Sequence, residues 1–390
     1  MSRQRSGGST HPVTFAHPRR SAGEQLAGGS KTPPQPAEEL PPPTGAPPFR
    51  LDLATVIGTD KVAAIEKAGT LVFHTVGDTG GVKSPQPQEI VAMWMENDFE
   101  GPGIAPSFFY HLGDVVYYDG ERNSYYDQFY EPYLGYPAPI FAIPGNHDGD
   151  VAIPPANAIC PADPSLKGFM VNFCAQEPTV MPDARDVPRP AMTQPNCYWT
   201  LIAPLVTIIG LYTNCPGHGI VHQDQADWFT AELAAADPTK ALIVALHHPP
   251  YSADNHHGAS KPMRTLLETA FASSGRKPNL VLSGHVHNYQ RFLVPQQGGG
   301  QLDYVVAGAG GYPNLHTMAK VDGAWPPINW VDPASGVTLA SYNQEHRNGF
   351  LRLTVTKTEI TGVYTTVPRL HESWTTGPVT AIDNFTIDLA

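Results

Sequence analysis

The chain has 390 residues, 41% of them hydrophobic and 15% charged, enough to bury a large core in one big domain or two ordinary ones. Its net charge of −12 argues against sequence-independent binding to nucleic acid, which rests on Lys and Arg neutralising phosphates. No run reaches the roughly 18 apolar residues of a membrane helix; the longest, 201–212, is broken by Pro204, so no membrane span is expected.

Residues 1–48 hold ten prolines, six glycines and five serines and read as a disordered arm, too polar to build a domain of its own. Arg3, Arg5, Arg19 and Arg20 are not followed by a continuous apolar run. No signal peptide is readable there, and the chain as numbered reads as cytoplasmic. The ordered part is expected over 49–390. It opens with a short helix at 60–67 and a buried strand at 70–76, and strands follow at 107–112, 139–143, 242–246 and 280–282. Helices are expected near 86–97, 223–236 and 263–273. This βαβ alternation implies helices covering a sheet, with chemistry at the carboxyl ends of the strands. Residues 149–196 interrupt the alternation with prolines and read as a lid beside the site. A hairpin at 198–202 and 205–212 comes next, and 303–307, 350–355 and 359–364 make the last third mostly strand. Cys160, Cys174, Cys197 and Cys215 fall within one 56-residue stretch, which permits either disulfides or buried thiols.

Five polar clusters each follow an apolar strand: Gly77-Asp78-Thr79-Gly80, Gly113-Asp114-Val115-Val116-Tyr117, Gly145-Asn146-His147-Asp148, His247-His248 and Gly284-His285-Val286-His287. A single such cluster is more often a turn or a hydrogen-bonded structural residue than a site. Five at one sheet edge present enough oxygen and imidazole donors for two cations of moderate hardness. The glycines before Asp78, Asp114, Asn146 and His285 suit a backbone that must turn sharply off each strand.

These ordered clusters resemble the signatures of the metallophosphoesterase superfamily over roughly residues 70–310. Most members carry a histidine two residues after the first aspartate, where this chain has Gly80. In the purple acid phosphatases a tyrosine three residues after the second aspartate takes its place, and Tyr117 stands there. His256 and His257, nine and ten residues after His247, match the histidine pair of the plant-type enzymes. Gln290 departs from the usual glutamate of the last motif. The resemblance implies a four-layer α/β/β/α sandwich in a single catalytic domain. It implies one metal held by Asp78, Asp114, Tyr117 and His287, and a second held by Asp114, Asn146, His247 and His285. The tyrosine-bound site would take Fe(III) and the other Fe(II), Zn or Mn. His147, His256 and His257 would face the phosphoryl group or leaving oxygen, and Asp148 would orient His147.

The activity so implied is hydrolysis of phosphate monoesters on a phosphorylated small-molecule substrate, with the two ions activating the attacking water. Within the same chemistry a phosphodiesterase or nucleotide pyrophosphatase is the alternative. A scaffold protein keeping the fold without activity is the alternative from another class, and would be expected to lose ligands, whereas all seven positions here hold capable residues. His74, His111, His218 and His222 take structural or peripheral roles in this reading. The glycines at 308–311 either admit a close backbone approach or turn the chain.

Overall fold

The apolar runs pair into two sheets in a computed structural model that describes residues 39–82, 84–151, 163–215 and 219–389. With strands numbered along the chain, one sheet has nine in the order β1 (Arg50–Asp52), β5 (Trp199–Ile202), β6 (Val206–Gly210), β7 (Ala241–Leu246), β8 (Leu280–Ser283), β10 (Gln301–Ala307), β9 (Tyr289–Pro295), β12 (Thr338–Tyr342) and β11 (Trp330–Val331). The other has six in the order β15 (Thr380–Asp388), β14 (Glu359–Thr366), β13 (Gly349–Val355), β2 (Leu71–Val76), β3 (Phe109–His111) and β4 (Ile140–Ala142). The principal helices are α1 (Thr59–Ala68), α2 (Gln86–Asn97), α3 (Lys167–Phe173), α4 (Gln223–Ala235) and α5 (Lys261–Ser274).

The sequence of β7 shows why the layers stack. All six of its residues are buried, as expected for a strand covered on both faces. Ile243 and Ala245 join the core between the sheets, with Phe73, Phe141, Leu280 and Val305. Leu242, Val244 and Leu246 alternate to the other face and meet Phe229 and Leu233 of α4 and Leu267 and Phe271 of α5. Ser260 caps α5 by accepting from Met263 N at 3.3 Å, Pro262 suits its first turn, and Gly275 closes it at φ 66°. On the other side Ile90, Val91 and Met95 of α2 bury against the six-stranded half. The expected α/β/β/α layering is present.

The parallel strands β2, β3 and β4 lie in one sheet and β6, β7, β8 and β10 in the other, so the polar clusters leave at the carboxyl ends of both. Strands β1, β9, β11, β12 and β15 were not anticipated. β15 is an edge strand in which exposed Thr380, Asn384, Thr386 and Asp388 surround buried Asp383 and Phe385, so it carries no apolar run to read.

Of the 149–196 segment, residues 152–162, including Cys160, lie outside the described residues. The remainder folds onto the sheet: α3 buries Phe169 and Phe173, and the Gln194 amide exchanges hydrogen bonds with both backbone groups of Ala142 in β4. Residues 1–38 of the expected arm also lie outside the described residues. In 39–48, Thr44 and Gly45 donate backbone N–H groups to the Pro195 carbonyl. Cys174, Cys197 and Cys215 are buried and no disulfide joins them. Burial pushes the Cys197 thiol up to about 12. Among the described residues no helix is long and apolar enough to cross a membrane.

Candidate metal centre

The loops after β2, β3, β4, β7 and β8 converge. Asp78, Asp114 and His285 take φ of 58°, 52° and 66°, the left-handed region that non-glycine residues rarely enter. The sharp turn expected at the preceding glycine thus falls on the functional residue itself in the Asp78 and His285 loops, whereas in the Asp114 loop Gly113, at φ 92°, shares it. Gly145 serves a different need, since it is extended and any Cβ there would overlap Asp114 Oδ1 and the Asp114 amide. Gly308 likewise lets its chain pass against the Val286 carbonyl and the Asp78 carboxylate, which decides for close approach in the 308–311 segment.

All seven residues expected to ligate metal meet here. His247 Nε2 lies 3.4 Å from Asp114 Oδ2 and 3.1 Å from Asn146 Oδ1, and His285 Nδ1 lies 3.0 Å from the same Asn146 oxygen. Beside this group, the Tyr117 hydroxyl is 3.4 Å from Asp78 Oδ1 and 3.3 Å from His287 Nε2, and His287 Nε2 is 3.5 Å from Asp78 Oδ1. Donor atoms of Asp114, His247 and His285 fall within 4.8 Å of one another.

The tautomers follow from the outer hydrogen bonds. His247 Nδ1 faces the Leu112 carbonyl at 2.9 Å, and His287 Nδ1 faces the Asn314 carbonyl at 2.8 Å. A carbonyl only accepts, so each Nδ1 carries the proton and each neutral Nε2 turns a lone pair inward. Those lone pairs meet carboxylate oxygens that also only accept. A buried convergence of acceptors suits a cation, and histidines oriented by backbone carbonyls are the usual support for one.

The charges show the same tension. Burial opposes charge on His247, but Asp114 beside it carries the imidazole up to about 9. A proton and a metal would therefore compete for one place. Burial would raise Asp114 too, yet His247 and His147 hold it below the usual carboxylate range. Tyr117 is pushed well above its ordinary value by burial, then by Asp114 and Asp78. A dense positive charge is what would reverse that.

The three expected substrate-facing histidines are placed differently from one another. His147 packs on the Tyr117 ring at 4.5 Å between centroids and donates from Nδ1 to the Tyr118 carbonyl at 2.8 Å. His257 lies 4.2 Å from the His285 ring, whereas His256 is exposed and meets His257 and His316. Asp148 does not orient His147. It accepts from the Gly145, Val115 and Val116 amides, tying two ligand-bearing loops together. Burial and then Asp114 raise its carboxyl to about 7.

His74 bonds Asp98 and Tyr136 and His111 bonds Thr79 and the Gly113 amide, so both are structural, as expected. His218 lies outside the described residues. Sequence reasoning missed Tyr312, stacked on Tyr117 at 4.1 Å, and His316, stacked on His287 at 4.4 Å. The one available signal was the glycine-rich segment just before them.

Comparison with known proteins fits this geometry. The profile of the calcineurin-like phosphoesterases matches residues 72–289, more than half of the chain. The chain belongs to that family. Membership implies a two-metal centre and agrees with the convergent acceptors. Within the family it is similar to purple acid phosphatases: 26% identical over 231 residues to purple acid phosphatase 1 of Ipomoea batatas, covering 56% of this chain and 42% of that protein. It is 33% identical over 107 residues to purple acid phosphatase 21 of Arabidopsis thaliana, covering 26% of this chain and 23% of that one. The chain thus spans less than half the length of these relatives. In fold it resembles a purple acid phosphatase from yellow lupin seeds (TM-score 0.55, 19% identity, 82% of this chain and 54% of that one).

Proposed function

We propose that this chain hydrolyses phosphate monoesters at a two-metal centre. Asp78, Asp114, Tyr117 and His287 would hold one ion, and Asp114, Asn146, His247 and His285 the other. Fe(III) is proposed for the tyrosine side, because phenolate and carboxylate suit a hard trivalent ion. Fe(II), Zn or Mn is proposed for the side where imidazole and amide predominate. The observation that carries the reading is the convergence of inward lone pairs from His247 and His287 on the buried carboxylates of Asp114 and Asp78. Bound cations would supply charge neutralisation at the phosphoryl group and make water acidic enough to attack.

The protein's own groups do the rest. Asp148 holds the loops of Asp114 and Asn146 in register through three backbone amides. His147, fixed by Tyr118 and Tyr117, and His257, beside His285, are the proposed donors to phosphoryl oxygens or the leaving oxygen, with His256 at the rim. The 149–196 segment, whose described part closes on itself where Ser165 donates to the Gly149 carbonyl just past Asn146 and His147, is proposed to border the substrate entrance as a lid.

The test is phosphate release from p-nitrophenyl phosphate. The expected result is turnover that is lost on chelation and restored by divalent metal. Protein that carries two metals yet releases no phosphate would overturn the reading, and faster cleavage of bis(p-nitrophenyl) phosphate would move it to a diesterase.

A further inference from the structure

The loop after β10 brings to the site a group that no ligand role uses. Residues 317–319 pair with 253–255: Asn255 donates to the Thr317 carbonyl at 3.0 Å and Ala319 to the Ala253 carbonyl at 2.7 Å. This zips the His256–His257 turn to the loop carrying His316. One carboxylate organises both. Asp254 Oδ2 accepts the amides of His256 and His257, each at 3.0 Å, and lies 3.4 Å from His316 Nδ1. Gln290, the departure noted in the last motif, holds the same turn by accepting from Ala253 N at 2.7 Å and donating to Ser252.

The His316 side chain is buried, with 3% of its surface exposed, and its Nε2 has no hydrogen-bond partner among the described residues. Its Nδ1 lies between the His287 amide, which can donate to it at 3.3 Å, and Asp254 Oδ2, which can only accept, at 3.4 Å. The neutral ring paired with the His287 amide carries its proton on Nε2, and so does the charged ring. In both of these forms a buried N–H lacks an acceptor among the described residues, and in the tautomer that donates from Nδ1 to Asp254 the same Nε2 is a buried unpaired acceptor, so in every form this nitrogen lacks the partner that native structures rarely omit. Ring nitrogens of His256, His257 and His316 lie within 4.8 Å of one another, and the His316 ring is stacked on that of His287.

We propose that His316 is a further substrate-binding residue, completing with His256 and His257 a three-imidazole pocket that donates hydrogen bonds to phosphate oxygens, with Asp254 as its positioning residue. The proposal deepens the phosphomonoesterase reading and rests on it. A third metal ion bound through Nε2 of His316 would use the tautomer that donates from Nδ1 to Asp254, and the metal arm of the experiment separates the two.

The experiment uses the full chain loaded with metal and inorganic phosphate as the probe, followed by calorimetric titration and elemental analysis. His316→Asn keeps an acceptor for the His287 amide but cannot reach the pocket, whereas His316→Gln can place an amide N–H near the position of Nε2. The Asn variant is expected to bind phosphate about tenfold or more weakly, as loss of a hydrogen bond to a charged group predicts. The Gln variant should recover most of the affinity, and both should keep wild-type metal content. Unchanged phosphate affinity in the Asn variant would overturn the proposal while leaving the metal-centre reading intact. A third equivalent of metal in wild-type protein, lost in the Asn variant, would overturn it in favour of a cation site. Wild-type protein that takes up no metal would overturn both readings.

Discussion

Loops leaving the six-stranded sheet bring Asp78, Asp114, Tyr117 and Asn146 to the candidate centre, whereas those of the nine-stranded sheet bring His247, His285 and His287. One half supplies oxygen and the other imidazole. Neither half encloses a cation alone, so metal uptake should report whether the two sheets are docked. The contacts that cross between them already do part of this: His285 donates its amide to Asp78 at 2.8 Å, and His247 sits against Asp114.

The largest way to break the comparison is Asp114→Asn, at the carboxylate that faces donors of both sheets. Metal content should collapse and turnover fall by about 10³-fold, the scale of losing a main electrostatic stabiliser, as read by elemental analysis and p-nitrophenyl phosphate assay. Retention of both ions would mean the halves do not share Asp114.

A smaller perturbation acts on the spacing alone. Gly145→Ala introduces a methyl that overlaps Asp114 Oδ1 while every donor remains. Competition with a chelator should show metal affinity weakened about 10- to 100-fold, comparable to disturbing groups that orient ligands.

Below that lies an effect on stability. Burial lowers His111 to about 3 against 6.5 in the unfolded chain. Its neutral form is the one folding favours, so this contribution is fully present above pH 6.5 and is lost as pH falls from 6.5 toward 3. His111→Gln should flatten the acid limb of denaturant-measured stability for metal-free protein over that window. An unchanged acid limb would mean that other groups set it.

Legibility in the sequence divides along the same line. Each ligand expected from the sequence follows a short apolar strand, and β7 and β8 could be read because both of their faces are buried. The order of strands across the nine-stranded sheet could not be read, since β9 and β12 pair through long-range contacts that no local pattern encodes. Tyr117 was found through the resemblance to the purple acid phosphatases, in which a tyrosine stands three residues after the second aspartate. His316 has no such spacing: it reaches the site because glycines at 308–311 let the chain pass close, and because Asp254, just ahead of the His256–His257 pair, gathers two loops distant in sequence. Asp148 was found but given the wrong partner, since adjacency in sequence suggested His147 where the structure offers it three amides.

The most direct test of the central claim is the visible spectrum of the protein purified without added metal, beside that of Tyr117→Phe. A Tyr117 phenolate on Fe(III) predicts an absorption band in the visible and a pink or purple solution. The variant, which keeps the ring stacked on Tyr312, should lose the band and retain the ion of that site less well. Colourless wild-type protein holding two divalent ions, with Tyr117→Phe equal to it in metal content and rate, would contradict the account.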